Sequence, residues 1–191
     1  MTLRLCTFMI LLSFSVGVAP LFGGIIVGDP TGLASPAVTI TFTEFGIPDN
    51  TVVTNQYSSL GVIFSSGMYQ GSGAVANFGI AGVTSPFSIY FTSPQTSAAV
   101  NLVTNSGTSS FSALLGGALV DSFSASTGAQ AYYGFTGESF DQIQITPGGF
   151  NNVGVVVRAQ LGSEPVPEPS TYALLGSGLL GLLALARKRR T

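Results

Sequence analysis

Val153-Gly154-Val155-Val156-Val157-Arg158-Ala159-Gln160-Leu161 is the stretch that decides the fold class. Val153, Val155, Val157, Ala159 and Leu161 fall on odd positions, with Gly154, Val156, Arg158 and Gln160 between them. Side chains of a strand point alternately to its two faces, so this period of two predicts a strand with one face toward a core. Val38, Ile40 and Phe42 alternate with Thr39, Thr41 and Thr43 in the same way, and Phe87, Ile89 and Phe91 with Ser88, Tyr90 and Thr92. Weaker runs of this kind occupy 51–54, 61–65, 74–78, 98–104, 109–115, 118–124, 130–135 and 141–146. Turn formers separate them: Pro48-Asp49-Asn50, Ser66-Gly67, Ser93-Pro94, Asn105-Ser106-Gly107 and Pro147-Gly148-Gly149. No stretch of the body sustains a helical period with helix formers. About ten short strands, spaced by turns, predict an all-β chain with a single antiparallel β-sandwich domain over 25–162.

Charge is concentrated outside that body. Arg4, Arg187, Lys188, Arg189 and Arg190 are five of the six bases, and all lie near the two ends. Between Gly24 and Val166, Arg158 is the one base against seven acids, a net charge of −6. Such a body cannot neutralise phosphates, and nucleic acid is excluded as a partner.

The end of the chain, Val166 to Thr191, reads VPEPSTYALLGSGLLGLLALARKRRT. Pro167 and Pro169 fix their own φ and push Val166 and Glu168 toward extended backbone, so 166–170 is a stiff segment a protease can grip. Ser170 or Thr171 can cap a helix start. Tyr172 to Ala186 carries no charge and gives about 22 Å of helix at about 1.5 Å per residue. That is short against a hydrocarbon core of about 30 Å, although snorkelling arginines extend it. The basic cluster Arg187, Lys188, Arg189 and Arg190 marks the cytoplasmic end of a transmembrane helix at about 172–186, with the body on the other side. A retained tail anchor has the same three parts.

Val166-Pro167-Glu168-Pro169-Ser170, the Leu/Gly-rich span and the terminal basic cluster together resemble the PEP-CTERM sorting signal of Gram-negative bacteria. Tyr172 stands where that signal often carries Trp. The resemblance covers the tail alone and implies an exosortase as partner, an integral-membrane enzyme that cuts near Pro-Glu-Pro. It implies a precursor anchored in the cytoplasmic membrane and then released to the cell surface or the extracellular matrix. The body is similar in layout to jelly-roll ectodomains of exported bacterial proteins, through Val53-Thr54-Asn55-Gln56-Tyr57, Gly61-Val62-Ile63-Phe64 and Phe140-Asp141-Gln142-Ile143-Gln144-Ile145. Some of those are similar to carbohydrate-binding modules.

Residues 1–24 read as the matching export address. Arg4 gives a positive start and Phe8 to Val18 an apolar run of 11 residues, the form of a signal peptide. Cleavage after Gly17, Ala19 or Gly23 fits in different degrees, and a retained N-terminal anchor has the same pattern. Cys6 leaves with this segment, so the mature chain has no disulfide. Residues 163–191 then form the linker and sorting signal.

The chain has no His, which removes Ser-His-Asp and Cys-His catalysis as usually built, and histidine zinc sites with them. Gly71-Ser72-Gly73 and Gly116-Gly117 lack the Lys-Ser/Thr of a phosphate loop. No cofactor is expected. Calcium is the metal this oxygen chemistry permits, with Asp49 and Asn50, or Glu138 and Asp141, as candidates. Tyr69, Tyr90, Tyr132 and Tyr133 are candidates for a ligand rim that binds exopolysaccharide. The expectation is an exported, non-enzymatic surface or matrix protein with a structural or adhesive role. The alternatives are a carbohydrate-binding module, which requires an exposed row of tyrosines, and a weak hydrolase, which requires two converging carboxylates.

Overall fold

The computed structural model describes residues 23–80, 82–83 and 85–162. The signal segment up to residue 22, the linker, the sorting signal and the expected helix at 172–186 lie outside the described residues.

The described chain is all-β. Its strands are β1 (Gly24–Asp29), β2 (Val38–Ile40), β3 (Val52–Val53), β4 (Val62–Phe64), β5 (Met68–Gly71), β6 (Ala74–Ala76), β7 (Phe78–Gly79) and β8 (Gly82–Val83). The longer ones follow: β9 (Phe87–Thr104), β10 (Thr108–Leu115), β11 (Ala118–Ser126), β12 (Ala131–Thr146) and β13 (Gly154–Gly162). Eleven of them form one antiparallel sheet, and β7 and β8 pair separately.

Two long strands organise the sheet. β9 has 18 residues and β12 has 16, and they lie beside each other along most of their length. The sequence predicts each as two shorter strands; the structure joins them. Ser93-Pro94 is therefore not a turn between strands but the middle of β9. Pro94 is tolerated because β9 has no second strand partner at that level among the described residues, so no ladder bond asks for its missing N–H. β12 shifts register on both sides of Phe140, opposite Gln95, and bulges of this kind bend a strand.

Partners change at that bend. Below it, 87–90 of β9 and 142–145 of β12 run with β10, β11 and β4. Above it, 97–102 of β9 and 131–136 of β12 run with β1 and β13, and β13 leads on to β2 and β6. Both halves turn one face to a common core: Phe87, Ile89, Phe111, Ile143 and Ile145 from the first, Val100, Leu102, Tyr133, Phe135 and Val156 from the second. The stacking of Phe111 on Tyr133 (centroids 5.1 Å apart) joins the two.

The other face of the second half is covered as well. Asp29 accepts hydrogen bonds from the Thr31 and Gly32 amides and the Thr31 hydroxyl, which fixes a turn after β1. That turn lays Leu33 against Ala99 and Tyr132, and the Leu33 amide donates to Gln160 Oε1 at 2.8 Å. β13 departs from the predicted alternation for this reason and one other. A bulge between Val156 and Arg158 switches its parity, so Val156 before it and Ala159 and Leu161 after it face the core. Gln160 between them is buried by the Leu33 turn.

β2 stops at Ile40, short of the predicted run to Thr43. The Thr41 amide and hydroxyl both donate to Glu44 Oε1, at 2.6 and 2.8 Å, and this local bonding competes with the ladder. Phe42 still reaches the core, through a left-handed backbone at φ 60°.

Candidate functional site

In sequence, the last described strand is followed by the linker and the expected sorting segment. β13 ends at Gly162, whose carbonyl accepts a hydrogen bond from the Ser97 hydroxyl. Beside that end lies a groove of about 510 Å³, lined by Val38, Leu60, Gly61, Leu161 and the 92–96 stretch of β9. It carries no charged side chain among the described residues. Its back wall is the stretch of β9 around Pro94 that lacks a second strand partner. Among the described residues the buried Thr96 hydroxyl oxygen has no hydrogen-bond partner. The predicted motif residues Val166, Pro167, Glu168, Pro169 and Ser170, and the cluster Arg187, Lys188, Arg189 and Arg190, lie outside the described residues.

The four candidate tyrosines do not share an exposed face. Tyr69, Tyr132 and Tyr133 are buried, at 9, 4 and 2% exposure, and only Tyr90, at 39%, presents its ring. Tyr132 and Tyr133 are adjacent in β12 and point to opposite faces, and both are covered because the Leu33 turn closes over the outer one. The Tyr133 hydroxyl donates to the Ser126 carbonyl at 2.9 Å, and burial pushes its pKa up.

The calcium candidates are not gathered either. Asp49 and Asn50 are exposed in the turn before β3, with Asn50 at φ 63°. Asp141 Oδ2 accepts from the Gly116 amide at 2.9 Å and so braces the β10–β11 hairpin. Gly116 and Gly117, at φ 57° and 83°, form the tight two-residue turn of that hairpin. Glu138 lies instead beside Gly23 and Asp121. Among the described residues no three His, Cys, Asp or Glu side chains are placed to hold a metal ion.

Two polar clusters were not legible in the sequence. In the first, the Tyr57 hydroxyl lies 2.8 Å from Gln70 Oε1 and 3.1 Å from the Phe42 carbonyl, with one hydrogen shared between them. Gln70 Nε2 donates to the Phe42 and Gly71 carbonyls, both at 2.8 Å. Burial, with the Glu44 carboxylate nearby, pushes the Tyr57 hydroxyl up to about 12. Partial burial works against ionisation of Glu44, but the bonds from Thr41 outweigh it and hold its carboxyl below the usual range. In the second cluster, Thr127 joins Thr104 (2.6 Å) and Ser109 (2.5 Å), and Ser109 Oγ accepts from the Gly148 amide at 2.9 Å. This chain ties together the connections that leave β9, β11 and β12. Gly107 lies so close to the Gly149 backbone there that no Cβ fits. Apart from Gln70 and Gly71, the partners stand 13 to 39 residues apart, and no local pattern announces them.

Against known proteins, residues 165–190 match the family model of the PEP-CTERM protein-sorting motif. No curated protein and no solved structure matches the chain. The chain thus carries the recognition signal for exosortase processing, and proteins with this motif are exported and sorted to the cell envelope or surface. The match begins three residues beyond the end of β13.

Proposed function

We propose that this protein is a surface or extracellular-matrix component of a Gram-negative bacterium, with a structural or adhesive role and no enzymatic activity. It is made with a signal peptide over 1–24, held in the cytoplasmic membrane by a helix at about 172–186, and freed by an exosortase acting near Pro167-Glu168-Pro169. The sorting motif at 165–190 carries this reading. The body fits the role of a compact cargo. Three of its acids, Asp29, Glu44 and Asp141, serve local turns and a hairpin. A jelly-roll-like sandwich draws support from the way β9 and β12 exchange partners at mid-length while both halves face one core. A carbohydrate-binding role has one ring in its favour, Tyr90 opposite Gln142. The structural role is preferred because the other three tyrosines are buried.

Replacing Pro167-Glu168-Pro169 with three alanines in the native host tests the proposal. The expected result is a chain that stays in the membrane and keeps its C-terminal segment, Tyr172 to Thr191. Unchanged processing and release would overturn it.

A further inference from the structure

We propose that copies of this chain join head to tail, an apolar tip on one copy entering the groove at the end of β13 on the next. The tip is built on β7 and β8, which pair only with each other among the described residues. Gly79 turns inward onto the Tyr69 ring, so close that no Cβ fits. Side chains alternate along a strand, so Phe78 and Ile80 on either side of it turn outward, and Ile80 is 87% exposed. Val83, paired with Phe78, is exposed as well. A second ring stands close by. Asn77 Nδ2 donates to the Asn152 carbonyl at 2.9 Å, which holds the loop of Phe150, 78% exposed, beside the hairpin. No charged residue occurs between Asp49 and Asp121, and none between Asp141 and Arg158, so the tip is uncharged as well as apolar.

Tip and groove stand at opposite ends of one strand. The tip hangs on Gly154, the first residue of β13: the Gly154 amide donates to Asn77 Oδ1 at 2.8 Å, and the Asn77 amide donates to the Gly154 carbonyl at 3.2 Å. The groove lies at Leu161 and Gly162, the last residues of the same strand. The nine residues of β13 span roughly 25–30 Å at about 3.3 Å per residue, so a tip cannot fill the groove of its own copy. Two different patches that meet between copies generate a ring or an open row, and do not stop at a dimer. Shape and charge favour a second copy as the occupant. The tip is convex, and the groove is concave with Val38, Leu60 and Leu161 among its walls. Its 510 Å³ lies within the range of about 300–1,000 Å³ of pockets that enclose a small molecule, which is room for an isoleucine and a phenylalanine side chain. Neither surface carries a charged side chain among the described residues, on a body of net charge −6 that otherwise repels its own copies. A lipid surface would accept the tip but has no use for the groove; a second copy accounts for both. Such a row deepens the structural role proposed above, while the contact itself does not depend on the sorting route.

The test uses the full chain, purified in detergent in a Cys6→Ser background. One preparation carries Ile80→Cys and another Leu60→Cys; the two are mixed under a mild oxidant, and the linked peptides are read by mass spectrometry. Disulfides between position 80 of one copy and position 60 of another are expected to form at least about tenfold faster than those between two positions 80, because docking raises the effective concentration. A chain carrying both substitutions is expected to give a ladder of multimers, since positions 80 and 60 of one copy are too far apart to close on each other. Adding Phe78→Asp, which charges the tip, is expected to abolish the preference. Equal rates for the two kinds of linkage, as for tips that merely gather in detergent or lipid, would overturn the proposal, and so would a preference that survives Phe78→Asp. If the alanine replacement of Pro167-Glu168-Pro169 still blocks processing while the linkages form equally, the head-to-tail contact falls and the sorting route stands.

Discussion

Two aromatic clusters fill the core, and they are built on opposite plans. The first joins Phe91, Phe111, Phe123, Tyr133, Phe135 and Phe140, all carried by the long strands β9, β10, β11 and β12. Phe111 stacks on Phe123 at 4.7 Å and on Tyr133 at 5.1 Å, nearly parallel to both. The second joins Phe42, Phe45, Tyr57 and Phe64, carried by turns and by the short strand β4. In the first cluster the sheet ladder places the rings, and packing does the rest. In the second no ladder reaches Phe42 or Tyr57, and the bonds among Tyr57, Gln70 and the Phe42 carbonyl place them. Where regular structure runs out, buried polar groups take over its positioning role. The cost is backbone strain, since a bulky residue at φ 60° is disfavoured by about 1–3 kcal/mol.

The comparison predicts different responses to damage. Phe111→Ala opens a cavity at the centre of the stacked cluster and is expected to destabilise the mature protein by about 3–5 kcal/mol, read as a lower midpoint in denaturant. A loss under about 1 kcal/mol would mean that the two halves do not meet on that ring. Tyr57→Phe keeps the ring and removes only the hydroxyl, so the expected loss is about 1–3 kcal/mol, the cost of leaving Gln70 and the Phe42 carbonyl short of a partner. Combining it with Gln70→Leu should be less than additive, and a simple sum of the two effects would show that the bonds do not act as a unit.

Alkaline pH acts on both clusters, since burial also raises the pKa of the Tyr133 hydroxyl, and Tyr57 carries the larger shift. Tyr57 holds its proton more tightly when folded, with its pKa at about 12 against about 10 in the unfolded chain. Its contribution is therefore complete below about pH 10 and is lost as pH rises through about 12, by at most about 3 kcal/mol before solvent screening reduces it. The native protein should lose stability over that window, and Tyr57→Phe should lose less; parallel curves would contradict the assignment. The smallest effect belongs to Tyr90→Ala. That ring is exposed, and a change within about 0.5 kcal/mol is expected, with adhesion to the matrix unaltered on the structural reading. A marked loss of exopolysaccharide binding would favour the carbohydrate reading instead.

The sequence was most legible where strands are long and one-sided. The alternation at Phe87, Ile89 and Phe91 survives in the structure, and so does the turn at Pro48-Asp49-Asn50. It misled where the sheet is covered on both faces or bent. The alternation of Val153–Leu161 predicts one face, but a bulge at Val157 reverses its parity, and no residue type in the run marks that bulge. Ser93-Pro94 has the composition of a turn, but proline also fits a strand whose edge has no partner, as β9 has there among the described residues. The tyrosines failed as a rim for a tertiary reason: burial of Tyr132 depends on a loop anchored by Gln160, more than 120 residues away from Leu33. The sorting tail was legible because a targeting signal is read by other molecules as a linear pattern and does not depend on the fold.

The most direct measurement is the mass of the protein recovered from the cell surface or medium of its native host. The account predicts a chain that ends near Pro167-Glu168-Pro169 and lacks Tyr172 to Thr191. A surface protein that keeps Arg187 to Arg190 at its end would contradict it.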